Sequence, residues 1–337
     1  MWETDEVYTF FRYEEEQNDM ERMWFSMENK EKGRLLFIYN PVAGKGKIKA
    51  KLSEILEQFS AAGYELIVHP TNSQGDARRT ALKYAKEHRC ERIVCVGGDG
   101  TFSETAGGVL LSGERLPLGY VPEGTTNDFA YSLKLPTDMN RAAELAAHGS
   151  GIPSDIGTMN GEPFTYTACF GLFTEVTYET PQSVKNAIGR TAYLMNAASK
   201  LMNIKSYPMK VQGENFLIED EFIYGMVANS NSVGGFKGIT GRDVALDDGF
   251  FEMILIKKPK NLIEFNEIVN ALLSNHLDHC ANIRYERVNR VTITTEHELP
   301  WNLDGEFGGN LNSAEIIIHK QKIDYVTAVL NPGSMLP

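Results

Sequence analysis

Residues 92–104 read RIVCVGGDGTFSE. Ile93, Val94, Cys95 and Val96 make a short apolar run of strand type that passes straight into Gly97-Gly98-Asp99-Gly100-Thr101, and a helix is expected to follow. Glycines let the backbone turn sharply and approach a ligand with no Cβ in the way, while a helix start aims unpaired N–H groups at an anion. A carboxylate inside an anion cradle repels phosphate unless a cation lies between them, so Asp99 points to a nucleotide accompanied by Mg2+. The same five residues also suit a plain tight turn. The surrounding chain decides between the two readings.

Outward from this stretch the pattern alternates strand and helix. An apolar run at 35–39 ends in Asn40-Pro41-Val42-Ala43-Gly44-Lys45-Gly46-Lys47, and Ile48, Leu52, Ile55, Leu56 and Phe59 then recur at helical spacing up to Gly63. A strand at 65–69 leads to a loop with Thr71 and a helix from about Asp76; a fourth strand at 117–121 runs into Glu123-Gly124-Thr125-Thr126-Asn127-Asp128-Phe129. Such alternation implies a mainly parallel sheet with helices on both faces. Ligands bind such sheets at the carboxyl ends of the strands, where all four polar loops fall.

With 337 residues the chain has room for about two domains. Hydrophobic content of 42% against 23% charged residues fits a soluble globular chain, and no apolar run approaches the ~20 residues of a membrane span. The start MWETDEVYTFF lacks the features of a signal peptide, so a cytosolic chain is expected. Net charge is −12, half of it in residues 1–32, which carry ten acids and four bases. No basic face for nucleic acid is foreseen, and contact with a membrane would need a local patch. The composition break suggests that residues 1–32 are an acidic extension and that Met27 is the natural start; peptides ahead of Met27 in a mass spectrum of the natural protein would contradict this.

Cys90, Cys95, Cys169 and Cys280 have no metal-ligand spacing and read as reduced, buried thiols. His276 and His279 have no carboxylate motif around them, so no metal is assigned there. After about Asp155 the pattern turns to strand-like segments at 161–174, 209–211, 216–218, 222–228, 250–256, 291–295 and 316–318, with helices around 185–203 and 262–277. The expected division is an α/β nucleotide-binding domain at 33–155, completed by 320–337, and a second, mostly antiparallel domain at 156–319. Residues 325–330 are expected to return to the first domain.

Several segments carry chemistry. The loop at 40–44 lacks P-loop spacing, yet its N–H groups with Lys45 or Lys47 suit phosphate as well as plain solvation. The 124–128 loop supplies more hydroxyl, amide and carboxyl groups than a helix cap needs. Asp247-Asp248-Gly249 is either a hairpin turn or a turn presenting Asp248 to a cation. Trp301-Asn302-Leu303-Asp304-Gly305-Glu306 sets two carboxylates on one glycine-centred turn, and phosphoryl transfer to an alcohol needs a base near the hydroxyl and cations on the phosphates.

NPVAG at 40–44, GGDGTFSE at 97–104, PEGTTNDFA at 122–130, LDDGFFE at 246–252 and LDGE at 303–306 together resemble the diacylglycerol kinase catalytic family, specifically the bacterial soluble lipid kinases. The resemblance runs from about Gly33 to the C-terminus. It implies a nucleotide-binding α/β domain, a β-sandwich-like domain and an active site in the cleft between them. It implies ATP contacts from Asn40, Pro41, Val42, Ala43 and Gly44, from Thr71, from Gly97, Gly98, Asp99, Gly100, Thr101, Phe102, Ser103 and Glu104, and from Gly124, Thr125 and Asn127. Asp99 and Asp128 would join a Mg2+ and water network. Asp248, with the carbonyls of Ala245 and Phe250, would hold a structural Mg2+, and Glu306 or the adjacent Asp304 would accept the proton. Ser103 stands where the family usually has asparagine. Glu123 replaces an apolar or small residue and adds negative charge beside a phosphate site, a change that bears on nucleotide affinity.

The function this implies is ATP-dependent phosphorylation of the hydroxyl of diacylglycerol or a related lipid, by a cytoplasmic protein that reaches the inner face of the membrane transiently. Lys185, Arg190, Lys200 and Lys205, interleaved with Ile188, Tyr193, Leu194, Met195, Leu201, Met202 and Ile204, suit either an interfacial segment or a helix packed on its own domain. A homodimer is expected from the family. NAD kinase, which shares the Gly-Gly-Asp-Gly run, and a non-catalytic nucleotide- or lipid-binding regulator are the alternatives. The Thr-Thr-Asn-Asp loop points away from the first and the full set of acids away from the second.

Overall fold

The computed structural model describes residues 33–44, 46–171, 205–233, 236–237, 244–274 and 276–327. The acidic extension at 1–32, Lys45, the expected helix at 185–203 with its interleaved cations except Lys205, and residues 328–337 lie outside the described residues.

Strands β1 (Arg34–Tyr39), β2 (Glu65–Pro70), β3 (Arg92–Gly97) and β4 (Pro117–Pro122) pair parallel in the spatial order β2-β1-β3-β4. Between them run α1 (Ile48–Ala61), α2 (Asp76–Lys86) and α3 (Asp99–Ser112); α4 (Asp128–Ser132) and α5 (Met139–His148) follow β4. Side chains alternate across a strand, so each strand feeds two cores. Leu35, Phe37, Val94, Val96 and Val121 pack on Ile48, Ile55 and Phe59 of α1 and on Met139, Ala142 and Ala146 of α5. Leu36, Ile38, Ile93, Cys95 and Tyr120 pack on the alanines of α2 and on Phe102, Ala106 and Val109 of α3. All four cysteines are buried and free, as expected.

The second half is built from β5 (Gly151–Met159), β6 (Glu162–Phe164), β7 (Thr167–Gly171), β8 (Tyr207–Gly213), β9 (Leu217–Ala228), the short pair β10 (Ser232–Val233) and β11 (Phe236–Lys237), β12 (Phe251–Lys257), β13 (Ile283–Val288), β14 (Arg290–Leu303) and β15 (Glu306–Val326). Neighbouring strands run β13-β12-β9-β7-β14-β15, antiparallel throughout. Phe164, Phe170, Phe222, Val291, Trp301 and Ile316 lie in the core of this half, and α6 (Leu262–Ser274) covers Cys169, Tyr224, Met226 and Ile254. The two-part α/β and β-sandwich-like architecture is the one expected.

The halves share a strand. The 21-residue β15 pairs antiparallel with β14 and β5, then its end pairs parallel with β4 through Asp324 and Tyr325. The expected boundaries at 155/156 and 319/320 therefore fall inside β5 and β15, where the register between the two slips from His319 to Ile323. Asp155 fills that irregularity: it is fully buried, accepts the N–H of Gln321 at 2.7 Å and that of Gly249 at 2.5 Å, and gives its own N–H to the carbonyl of Leu246. Strands β5 and β13 and helix α5 were not among the expected elements.

Candidate active site

The order β2-β1-β3-β4 reverses direction between β1 and β3, and a crevice opens at the carboxyl ends of strands at such a switch point. Asn40 and Gly97 flank it. The Asn40 N–H donates to the Val96 carbonyl at 2.9 Å, and its side-chain amide donates to Thr101 Oγ1 at 3.2 Å, which ties the first loop to the start of α3. Thr71, at the end of β2, donates its N–H to Tyr39 at 2.9 Å. Thr125 and Thr126 are exposed on the fourth loop, and Val42 is exposed on the first.

The loops pack at backbone contact. Gly44 sits at φ +51, and a Cβ there would lie 1.9 Å from the carbonyl oxygen of Glu123. A Cβ on Gly124 would lie 2.7 Å from the Gly98 Cα. Asn127, at φ 53, closes its own loop by accepting the Gly124 N–H at 2.7 Å and donating to the Gly124 carbonyl at 3.1 Å. Gly98 is the N-cap of α3 and makes no side-chain hydrogen bond, so the first turn of α3 starts without a side-chain cap.

Asp99 lies at that first turn but spends its carboxylate on the next loop: Oδ2 accepts the Asp128 N–H at 3.0 Å, and Oδ1 accepts the Phe129 N–H at 3.3 Å and the Tyr120 hydroxyl at 3.4 Å. Burial, then the nearby charges of Asp128 and Asp304, push Asp99 up to about 6 against those hydrogen bonds. Asp128 is buried and accepts the Ser232 hydroxyl at 2.5 Å, and Ser132 meets Ser230 at 2.7 Å, so two side-chain links join α4 to the segment after β9. Sequence reading passed over Ser230 and Ser232, as it did Asp155; the signal was the polar run NSNS ending the strongly apolar β9.

The turn between β14 and β15 separates the two candidate bases. Leu303 pairs with Glu306, and Asp304 and Gly305 have φ 50 and 91, the two-residue Asp-Gly hairpin with both central residues left-handed. Asp304 is 4% exposed, and its carboxylate accepts the N–H groups of Thr165, Tyr166 and Thr167 at 2.6, 2.9 and 2.9 Å and the hydroxyls of Thr165 and Ser103. Five donors use up its acceptor capacity, which gives it the contacts of an anchor. Burial pushes its carboxyl up against these hydrogen bonds. Glu306 is exposed, and its Oε1 lies 3.6 Å from where a Cβ on Gly100 would stand. A free carboxylate thus faces the uncapped first turn of α3.

Three motif residues spend their side chains on protein neighbours. Phe102 is fully buried, with its ring stacked on Tyr120 at 4.3 Å, because the 3.6-residue period carries it to the inner face of α3. Ser103 donates to Asp304, and Glu104 accepts the Gly75 N–H at 2.7 Å. These are struts from α3 to its neighbours.

The 245–250 loop does not offer Asp248 to a cation. Asp248 Oδ1 accepts the Phe250 N–H at 2.9 Å, and Oδ2 pairs with the Arg287 guanidinium, which lies 5.1 Å over the Phe250 ring and 3.9 Å from Glu252. The structural Mg2+ implied by resemblance would have to displace that guanidinium, so Ala245, Asp248 and Phe250 do not fit it. Among the described residues no group of three or more His, Cys, Asp or Glu side chains could hold a metal ion.

Two outcomes separate anchor from base. Asp304→Ala strands several buried donors and should cost about 3 kcal/mol or more in denaturant unfolding, whereas Glu306→Gln should stay within ~0.5 kcal/mol of wild type. Equal losses would contradict the assignment. For Asp99 the raised pKa means that the folded chain holds a proton more tightly than the unfolded chain between the ordinary 3.8 and about 6. Its charge therefore opposes folding above about 6, and this fades as pH falls through 6. The stability of wild type relative to Asp99→Ala should rise from pH 7 to pH 5 in thermal unfolding, and a flat or falling difference would count against it.

Comparison with known proteins gives this geometry its relatives. Residues 34–159 match the model for the diacylglycerol kinase catalytic domain, and residues 171–321 match that for the YegS C-terminal NAD kinase beta sandwich-like domain. A diacylglycerol kinase of Bacillus subtilis (strain 168) is 36% identical over 279 residues, 82% of this chain and 91% of its own; one from Staphylococcus carnosus (strain TM300) is 34% identical over 295 residues, 87% and 95%. A crystal structure from Bacillus anthracis str. Sterne superposes with a TM-score of 0.73 at 27% identity, covering 90% of this chain and 97% of that one. The chain belongs to the diacylglycerol kinase family of ATP-dependent lipid kinases.

Proposed function

We propose that this chain transfers the γ-phosphate of ATP to the hydroxyl of diacylglycerol or a closely related lipid, with Glu306 as the proton acceptor. The observation that carries the reading is the placement of Glu306: an exposed carboxylate, on a turn fixed by a buried one, against the uncapped first turn of α3. Phosphates of the nucleotide meet the N–H groups of residues 99–101, with the loops at 40–44 and 124–127 as the walls of the cleft. The lipid hydroxyl enters on the β15 side, where Glu306 takes its proton as the new P–O bond forms and the bond from the γ-phosphorus to the β–γ bridging oxygen breaks, leaving ADP.

Asp99 and Asp128 would hold the Mg2+ that accompanies the nucleotide, which would supply charge neutralisation on the phosphates. The half-buried Asp99 and the buried Asp128 fit that role, since burial and then the charges of Asp128 and Asp304 raise Asp99, and a cation would relieve both. No helix among the described residues is long and apolar enough to cross a membrane, so the same reading has the lipid collected by peripheral contact at the inner face. A homodimer belongs to this reading on the strength of the family alone. NAD as phosphoryl acceptor is the weaker alternative, since the relatives compared above are named diacylglycerol kinase along most of their length.

The test is incubation with labelled ATP, Mg2+ and a panel of lipids beside NAD, followed by identification of the labelled product. Label in a lipid phosphate is expected; label in NAD alone would overturn the reading. Asp99→Ala and Glu306→Ala should each reduce transfer by about a hundredfold or more with the fold retained by circular dichroism. Undiminished turnover in both would refute the residue roles.

A further inference from the structure

Helices α1 and α3 both begin at the carboxyl edge of the parallel sheet, and their termini differ. The start of α3 has no side-chain cap. That of α1 has none from its own N-cap, Lys47, but Glu123, 75 residues away, accepts the Ile48 N–H on Oε1 at 2.9 Å. Glu123 is 6% exposed, and its second oxygen, Oε2, is buried without a hydrogen-bond partner. No ion pair balances this carboxylate among the described residues; what offsets it is the positive end of a 14-residue helix.

The main chain of Glu123 does as much. Its N–H donates to the Gly97 carbonyl at 2.7 Å, which extends the β3–β4 pairing into the glycine loop, and its carbonyl fills the space a Cβ on Gly44 would need. One residue therefore touches the 97–100 loop, the 40–46 loop and the first amide of α1. The 40–46 loop also bonds within itself, Val42 N–H to Asn40 Oδ1 at 3.0 Å and Gly46 N–H to the Ala43 carbonyl at 2.8 Å. A phosphate at the α1 terminus would have to evict a buried carboxylate.

We propose that Glu123 is a nucleotide-positioning residue: an internal anion that occupies the N-terminus of α1, locks residues 40–48 against the glycine loop, and so directs the nucleotide phosphates to the N-terminus of α3. The charge that looks adverse beside a phosphate site is sunk in a helix terminus and aims the substrate at Glu306. The inference rests on the kinase reading only for the identity of the nucleotide.

The experiment is calorimetric titration of the full chain with MgATP, without lipid, together with steady-state KM and kcat against lipid. Glu123→Ala frees the loop and should weaken MgATP binding and raise the ATP KM about fivefold, the ~1 kcal/mol of a lost cap at ~1.4 kcal/mol per tenfold, with kcat within about twofold and the lipid KM unmoved. Glu123→Gln keeps the acceptor for Ile48 without the charge and should bind MgATP at least as tightly as wild type. Unchanged binding in Glu123→Ala, a Gln variant weakened as much as the Ala variant, or parallel loss of kcat and both KM values would overturn the proposal. Should Glu123→Ala fail to fold, the Gln variant decides alone, weakening beyond about threefold being fatal to it. A wild-type chain that does not bind MgATP would sink the kinase reading as well, whereas wild-type binding with an indifferent Ala variant sinks this inference alone.

Discussion

The candidate site is built around one buried carboxylate, that of Asp304. Asp304 is enclosed by the amides of residues 165–167 and two hydroxyls, and burial of a charge is tolerable only when its lone pairs are met in this way. Its backbone forms half of a two-residue hairpin turn, which leaves no slack between Asp304 and Glu306. One of its donors, Ser103, belongs to α3. The same interaction therefore fixes the turn, sets Glu306 opposite Gly100 and binds the nucleotide half to the β-rich half. An apolar residue at 304 would leave three amides unmet and Glu306 unplaced.

A second constraint acts through β15. Because this strand pairs with β14 at one end and with β4 at the other, the two halves are parts of one hydrogen-bonded sheet. The irregularity at residues 319–323 is where the sheet changes from one half to the other, and Asp155 stitches it to the 246–249 loop. Relative motion of the halves would have to break strand pairing or the Ser103–Asp304 contact. A hinge through the sheet would therefore be costly.

The α/β half was legible because its apolar runs alternate with helical periodicity and end in polar loops at strand termini. Residues such as Gly44, Gly98 and Gly124 announce close approach in the sequence, and the structure shows the atoms they approach. The β-rich half was harder. The long ends of β14 and β15 hang polar residues on both faces, as in Glu306–Val326 with its exposed Asn312 and Ser313, so only the segments at 291–295 and 316–318 stood out. Helix α5 is alanine-rich, and its contribution depends on what lies beneath it. Motif membership does not say which side chains face the crevice, since the contiguous GGDGTFSE run enters a helix and wraps around it, carrying Phe102 into the core. Which of Asp304 and Glu306 is free could not be read from the sequence, because the donors around the first come from residues 137 and more positions away.

A cleft meant for an anionic nucleotide is lined here with acids, and the way each is disposed explains how that is sustained. Glu123 is held by the first amide of α1, Asp99 by the amides of residues 128 and 129, and Asp304 by those of 165–167. Backbone N–H groups, which neither move nor titrate, thus bind the negative charge that would otherwise repel phosphate. Asp99 is raised to about 6 by burial first and then by the charges of Asp128 and Asp304, which its hydrogen bonds do not fully offset. Glu306 differs from the other three in being exposed at the crevice rather than held in a cage of amides. Glu306, the proton acceptor of the proposed mechanism, is thus the acid that the backbone has not already neutralised, a distinction drawn from hydrogen bonds rather than from motif position.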